Sequence, residues 1–284
     1  MTDRLTSTLD QLRAQGRAAL IPYIPAGNPL ADSTVPLMHA LAKAGSDVIE
    51  LGIPFSDPMA DGPVIQKAAE HAIAQGIGLS KVLEIVAQFR EQDQTTPVVL
   101  MGYANPIERM GQQTFVDRAH AAGIDGILVV DYPPEEIMSF SAMLEKVNIA
   151  PIFLLAPTST EDRMKTVDQL ARGYVYYVSL RGVTGAGHLD VEDVAQQVAR
   201  IRQHVSIPVG VGFGISDAQS AARIAEVADA VVIGSKLITV MQQAWEGLPV
   251  EKQTEAAIQA GHDWLAGIRQ AMDQVVKSQA GDQT

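Results

Sequence analysis

The chain has 284 residues, 47% of them hydrophobic and 19% charged, a balance that suits a folded core and excludes a disordered polymer. Its formal net charge of −12, with no block of consecutive Lys or Arg, argues against a nucleic-acid or anionic-membrane surface. The absence of cysteine removes disulfides, zinc–thiolate sites, iron–sulfur clusters and thiol nucleophiles together.

Residues 1–16 are polar and amphipathic, with Leu5, Leu9 and Leu12 at helical spacing, and predict a helix rather than a secretory signal. No apolar run approaches bilayer length, so the expected protein is soluble and cytoplasmic. Short β-rich runs then recur: 19–24, 48–51, 98–101, 127–130, 152–155, 175–179, 209–212 and 230–233. Nearly all their residues are apolar, as expected for parallel strands covered on both faces. Between the second and third runs lie an additional helical segment over 63–75 and a helix over 81–90. Ser80 is expected to cap the latter, which carries Val82, Val86 and Phe89 on one face. Thr160 and Ser216 precede the helices after the fifth and seventh strands. Gly45, Gly123 and Gly173 stand where a left-handed residue ends a helix. A last helix over 250–277 aligns Ile258, Leu265, Ile268, Met272 and Val275, and a polar tail over 278–284 is expected to be mobile.

Eight strand–helix units in one chain predict an α/β fold, a single (β/α)8 TIM barrel over 1–284 with an extra N-terminal helix and an extra helix after strand 2. A doubly wound sheet is the alternative, because alternation does not dictate closure. In a barrel the chemistry sits at the carboxyl ends of the strands. Glu50 stands there, on an apolar strand where a carboxylate is costly to bury without a partner. The Gly/Pro-rich loop that follows returns Asp57 and Asp61 toward it. Either aspartate alone fits a turn role, but a carboxylate on a strand gains nothing from turn chemistry. The pair Glu50 and Asp61 therefore reads as a general acid–base pair.

Three glycine-containing loops, 182–187, 212–214 and 234–235, follow strands six to eight and read as a phosphate cradle closed by helix N-termini. Neither a nucleotide P-loop nor a GxGxxG fingerprint is present. No lysine ends the first seven strands, and Lys236 falls inside the last of those loops. His39, His71, His120, His204 and His262 are scattered over helices, with His188 alone near the site. Proton transfer without a metal or a Schiff base is the reading that remains.

The run Glu50-Leu-Gly-Ile-Pro-Phe-Ser-Asp-Pro-Met-Ala-Asp-Gly-Pro63, with Gly182-Val-Thr-Gly185 and Gly212-Phe-Gly-Ile215, resembles the tryptophan synthase alpha chain family over nearly the whole sequence. The resemblance implies a lyase that cleaves indole-3-glycerol phosphate to indole and glyceraldehyde 3-phosphate. It implies that Glu50 protonates the indole C3 and helps remove the glycerol hydroxyl proton, while Asp61 accepts a hydrogen bond from the indole N–H. Gly185, Gly214, Gly234 and Ser235 match its phosphate positions, Tyr176 and Phe213 its aromatic positions, and Thr184 is a further expected substrate contact. Tyr103 and Asp131 lie at strand ends beside them. Core packing is as good an account of Tyr176 and Phe213. Asp57, Pro58 and Asn105 match positions associated with a beta chain, expected in an alpha-beta-beta-alpha heterotetramer. No cofactor is expected in this chain; pyridoxal phosphate belongs to that partner. Tyr23, Ile24, Leu180 and Arg181 depart mildly from the family. Competing readings are a lyase that needs no partner, a non-catalytic phosphate-binding subunit, and another phosphate-binding barrel such as a sugar-phosphate isomerase.

Overall fold

The computed structural model describes residues 3–178, 191–212 and 214–275. Eight strands, β1 (Ala19–Pro25), β2 (Ile49–Gly52), β3 (Val98–Gly102), β4 (Gly126–Val129), β5 (Ala150–Leu155), β6 (Val175–Tyr177), β7 (Val209–Val211) and β8 (Ala230–Ile233), close into a barrel in sequence order. All eight pairings are parallel, and Ala19–Pro22 of β1 closes the ring against Ala230–Ile233 of β8. Closure, not a doubly wound sheet, is the outcome. Strands buried on both faces leave no edge for water or for another chain.

The helices in chain order are α1 (Arg4–Ala14), α2 (Thr34–Lys43), α3 (Pro63–Ala74), α4 (Leu79–Arg90), α5 (Ala104–Met110), α6 (Gln112–Ala122), α7 (Met138–Lys146), α8 (Glu161–Leu170), α9 (Val191–Arg202), α10 (Ala218–Val227), α11 (Ser235–Trp245) and α12 (Val250–Asp273). The expected extra helices are α1 and α3. The short α5, which follows β3 directly, is not foreseen by the sequence pattern, whereas α12 is the expected last helix and packs over α2, α10 and α11. The seven residues of α5 are too few to show a helical period, and Pro106 sits inside its first turn, where it is tolerated.

Local signals place the boundaries. Thr160 caps α8 by accepting from the Arg163 N–H, ahead of the acidic pair Glu161 and Asp162. Gly123 ends α6 in the left-handed region at φ 82°. Ser80 is not a cap: α4 opens two residues earlier than expected, at Leu79 after Gly78, and the Ser80 hydroxyl accepts from Arg118 instead. Asp217, one residue past Ser216, caps α10 in a reciprocal box with Ser220, because its carboxylate reaches the Ser220 N–H. His204 lies beyond the end of α9 rather than on it.

Two apolar layers result. The outer one lies between strands and helices and includes Val82, Val86 and Phe89 of α4 and Leu265, Ile268 and Met272 of α12. The inner one fills the barrel with Ile21, Val48, Val99, Leu128, Ile152, Tyr174 and Val232. Leu5, Leu9 and Leu12 of α1 join this inner layer, so the N-terminal helix plugs the barrel. Arg4 ties the plug down by donating to Asp125 and to the Gly123 carbonyl. No single helix among the described residues is long and apolar enough to cross a membrane.

Candidate active site

Alternation along β2 turns Glu50 inward, between Val48 and Gly52, and register sets it beside Tyr23 of β1 and Val99 of β3. The residue is 1% exposed. One carboxyl oxygen, Oε1, accepts a hydrogen bond from the Tyr174 hydroxyl. The other, Oε2, is buried without a partner among the described residues. Burial pushes the carboxyl up to about 7, and the Tyr174 hydroxyl pulls against that rise. A group poised there is available both as acid and as base near neutral pH.

Asp61 arrives on the loop between β2 and α3. Its Oδ2 accepts from the Tyr103 hydroxyl at 3.1 Å, and the same hydroxyl accepts the Ala60 N–H at 3.1 Å. Tyr103 is itself held by stacking on Phe55, with ring centroids 5.2 Å apart. Burial raises Asp61 from its ordinary value, and the Tyr103 hydrogen bond opposes the rise. Asp61 is partly exposed, in contrast to Glu50.

Tyr176 points inward from β6, and its hydroxyl donates to the Gly212 carbonyl at 3.0 Å. A Cβ at position 212 would overlap that hydroxyl, so Gly212 is required for a close approach as well as for any loop role. Burial and then the charges of Glu50 and Asp61 raise the Tyr176 phenol, which places its ring among the two carboxylates. Tyr176 packs against the inner layer and is partly buried.

At the β7 and β8 ends the two helix N-termini differ. The α10 terminus is closed by its own Asp217–Ser220 box. Gly234 opens α11 with no side-chain cap, so the N–H groups from Ser235 onward stay available to an anion. Gly214 is exposed on the neighbouring loop at φ +73°. Thr184, Gly185, Phe213, Arg181 and His188 lie outside the described residues. Asp131 is exposed and accepts the Ala104 N–H at 2.7 Å; it closes the start of α5 rather than facing the two carboxylates. Asp57 and Asn105 are exposed, on the β2 loop and on α5 respectively, with Pro58 partly exposed between Asp57 and the strongly exposed Met59. Among the described residues no cluster of three or more His, Asp or Glu has metal-site geometry.

Sequence reasoning missed Tyr174 and the orientation of Tyr23. The signal for Tyr174 was the period-2 relation with Tyr176, which puts both on the inner face.

The sequence profile of the tryptophan synthase alpha chain family matches residues 9–265. The tryptophan synthase alpha chain of Bordetella bronchiseptica is 64% identical over 280 residues, covering 98% of both chains. That of Methylibium petroleiphilum is 59% identical over 270 residues, covering 95% of this chain and 96% of its own. Among solved structures, tryptophan synthase subunit alpha from Legionella pneumophila superimposes with a TM-score of 0.89 at 43% identity, over 97% of this chain and 100% of that one.

Proposed function

The chain belongs to the tryptophan synthase alpha chain family, and from that premise we propose that Glu50 and Asp61 carry the family's reaction in this protein. The reaction is cleavage of indole-3-glycerol phosphate to indole and glyceraldehyde 3-phosphate in tryptophan biosynthesis, and the chain is a carbon–carbon lyase. The observation that carries the assignment is the free Glu50 Oε2, buried in the barrel interior on a carboxyl whose proton affinity is raised to about 7.

Neutral Glu50 delivers its proton to the indole C3, which leaves positive charge on the ring nitrogen. Asp61 stabilises that charge by accepting the ring N–H. Loss of the hydroxyl proton next to C3 then breaks the carbon–carbon bond: its electrons return to the ring to give indole, and the former alcohol becomes the aldehyde. The electron sink is the protonated indole itself, and Glu50, ionised after the first step, is suited to receive the hydroxyl proton. Partial exposure of Asp61 fits a group on a loop that adjusts to substrate, whereas Glu50 is rigidly mounted on a strand. The phosphate is assigned to the uncapped start of α11 at Gly234 and Ser235 with Gly214, completed by Thr184 and Gly185. Tyr103, Tyr176 and Phe213 are the proposed walls for the ring.

The proposed partner is a tryptophan synthase beta chain in an alpha-beta-beta-alpha heterotetramer, approached through Asp57, Pro58 and Asn105 beside the exposed Met59. Pyridoxal phosphate is assigned to that beta chain, and the expected location is the cytoplasm.

The test is release of indole from indole-3-glycerol phosphate by the purified chain, alone and with a beta chain. Glu50→Gln and Asp61→Asn are each expected to lower turnover by about 10²–10⁴-fold, the worth of a positioned proton-transfer group. Near-normal turnover by either variant overturns the role of that residue.

A further inference from the structure

Tyr23 lies on the inward face of β1, two residues before the strand ends at Pro25, and it is 7% exposed. Its ring leans along the Gly234 backbone and ends over Gly52, two residues past Glu50, with which Tyr23 is in register. A Cβ at Gly52 would overlap the Tyr23 hydroxyl, so the ring fits only because that position is glycine. Among the described residues the hydroxyl makes no hydrogen bond. Burial first, then the charges of Asp61 and Glu50, raise this phenol well above its ordinary value, so it stays protonated and lies within reach of both carboxylates' fields. The hydroxyl is not fully enclosed, so water can reach it at the barrel mouth, where a ligand oxygen can take that water's place.

Resting on the function proposed above, we propose that the Tyr23 hydroxyl is a substrate-positioning group that donates a hydrogen bond to a hydroxyl oxygen on the glycerol chain of indole-3-glycerol phosphate. The choice of acceptor follows from the chemistry of the substrate. The indole N–H only donates and is assigned to Asp61. The phosphate is assigned to the α11 terminus. The glycerol hydroxyls remain as acceptors in the space between Glu50 and Asp61, next to the bond that breaks. A donor there selects the glycerol-bearing substrate over free indole, because a site built to bond a polar group discriminates strongly on its presence.

Tyr23→Phe keeps the ring and removes only an unpartnered hydroxyl. Its kcat/KM for indole-3-glycerol phosphate is expected to fall about 10- to 30-fold, the worth of one buried hydrogen bond. The pH profile of kcat/KM should stay in place, and affinity for indole, which lacks the glycerol chain, should be unchanged. An unaltered kcat/KM overturns the proposal. So does a loss accompanied by a shifted pH profile, which would mean the hydroxyl acts through Glu50, or by an equal loss of indole affinity, which would mean the ring packing had changed. Wild-type turnover separates the two readings: its absence overturns the function itself, whereas normal wild-type turnover with an unaffected Tyr23→Phe overturns this inference alone.

Discussion

Two carboxylates are buried among the described residues of this barrel, and their surroundings are opposite. Asp125, 5% exposed, stands just before β4 and is fully partnered. Arg4 Nε donates to its Oδ1 at 2.8 Å, and Arg90 Nη2 and the Val98 N–H donate to its Oδ2 at 2.7 and 2.8 Å. Burial raises its proton affinity, and the two guanidiniums pull against that rise. Glu50, as deeply buried, is held by no cation among the described residues: burial raises it and one phenol opposes the rise. The difference is one of purpose. A charge that must stay ionised is surrounded by donors, whereas a group that must exchange a proton keeps one oxygen free.

The largest effect expected on this contrast is at the structural carboxylate. Arg90→Met removes a cation that also donates to the carbonyls of Gly123, Asp93 and Thr96. It should cost about 3–5 kcal/mol in a denaturant titration, the penalty for stranding one member of a buried ion pair. The activity of the molecules that remain folded should be nearly unchanged. A loss below about 1 kcal/mol would mean that Arg4 suffices for Asp125.

The next effect has the opposite sign. The folded-state value of Glu50, about 7, lies above its ordinary 4.5, so the stability tied to its neutral form is complete below about pH 4.5 and is lost as the pH rises through 7. That loss is on the order of 3 kcal/mol at alkaline pH. Glu50→Gln stays neutral, and should match the wild type at pH 4 while exceeding it in stability at pH 8.5 by roughly that amount, although it turns over little substrate. An equal gain at both pH values would show that ionisation is not the cause.

The smallest effect tests the one phenol on Glu50. Tyr174→Phe deletes the hydrogen bond that lowers the proton affinity of Glu50. The pH profile of turnover should move to higher pH, with a loss of about tenfold or less near its optimum. A shift to lower pH, or none, would remove Tyr174 from the control of this carboxyl.

The apolar runs marked all eight strands to within about two residues, because a strand covered on both faces must be apolar along its whole length. Glu50 stood out for the same reason: it breaks such a run. The short α5 escaped notice because it begins directly at the end of β3 and spans barely two turns. Asp131 looked like a site residue by its position at a strand end, yet its carboxylate is taken up by the first N–H of α5. Gly212 and Gly52 looked like loop or motif residues, but each also makes room for a tyrosine ring from a neighbouring strand.

By itself the sequence determined the number and kind of elements, the position of the unusual carboxylate, and through motif resemblance the family and its chemistry. These are properties of local periodicity, of residue type and of contiguous runs. Only the tertiary structure decided closure, the plugging of the barrel by α1, and which side chains meet inside. The contact of Tyr174 with Glu50 joins residues 124 positions apart, and the placement of Tyr23 over Gly52 depends on the β1–β2 register. No local pattern encodes such meetings, because strand register and inward alternation select them only after the ring has closed.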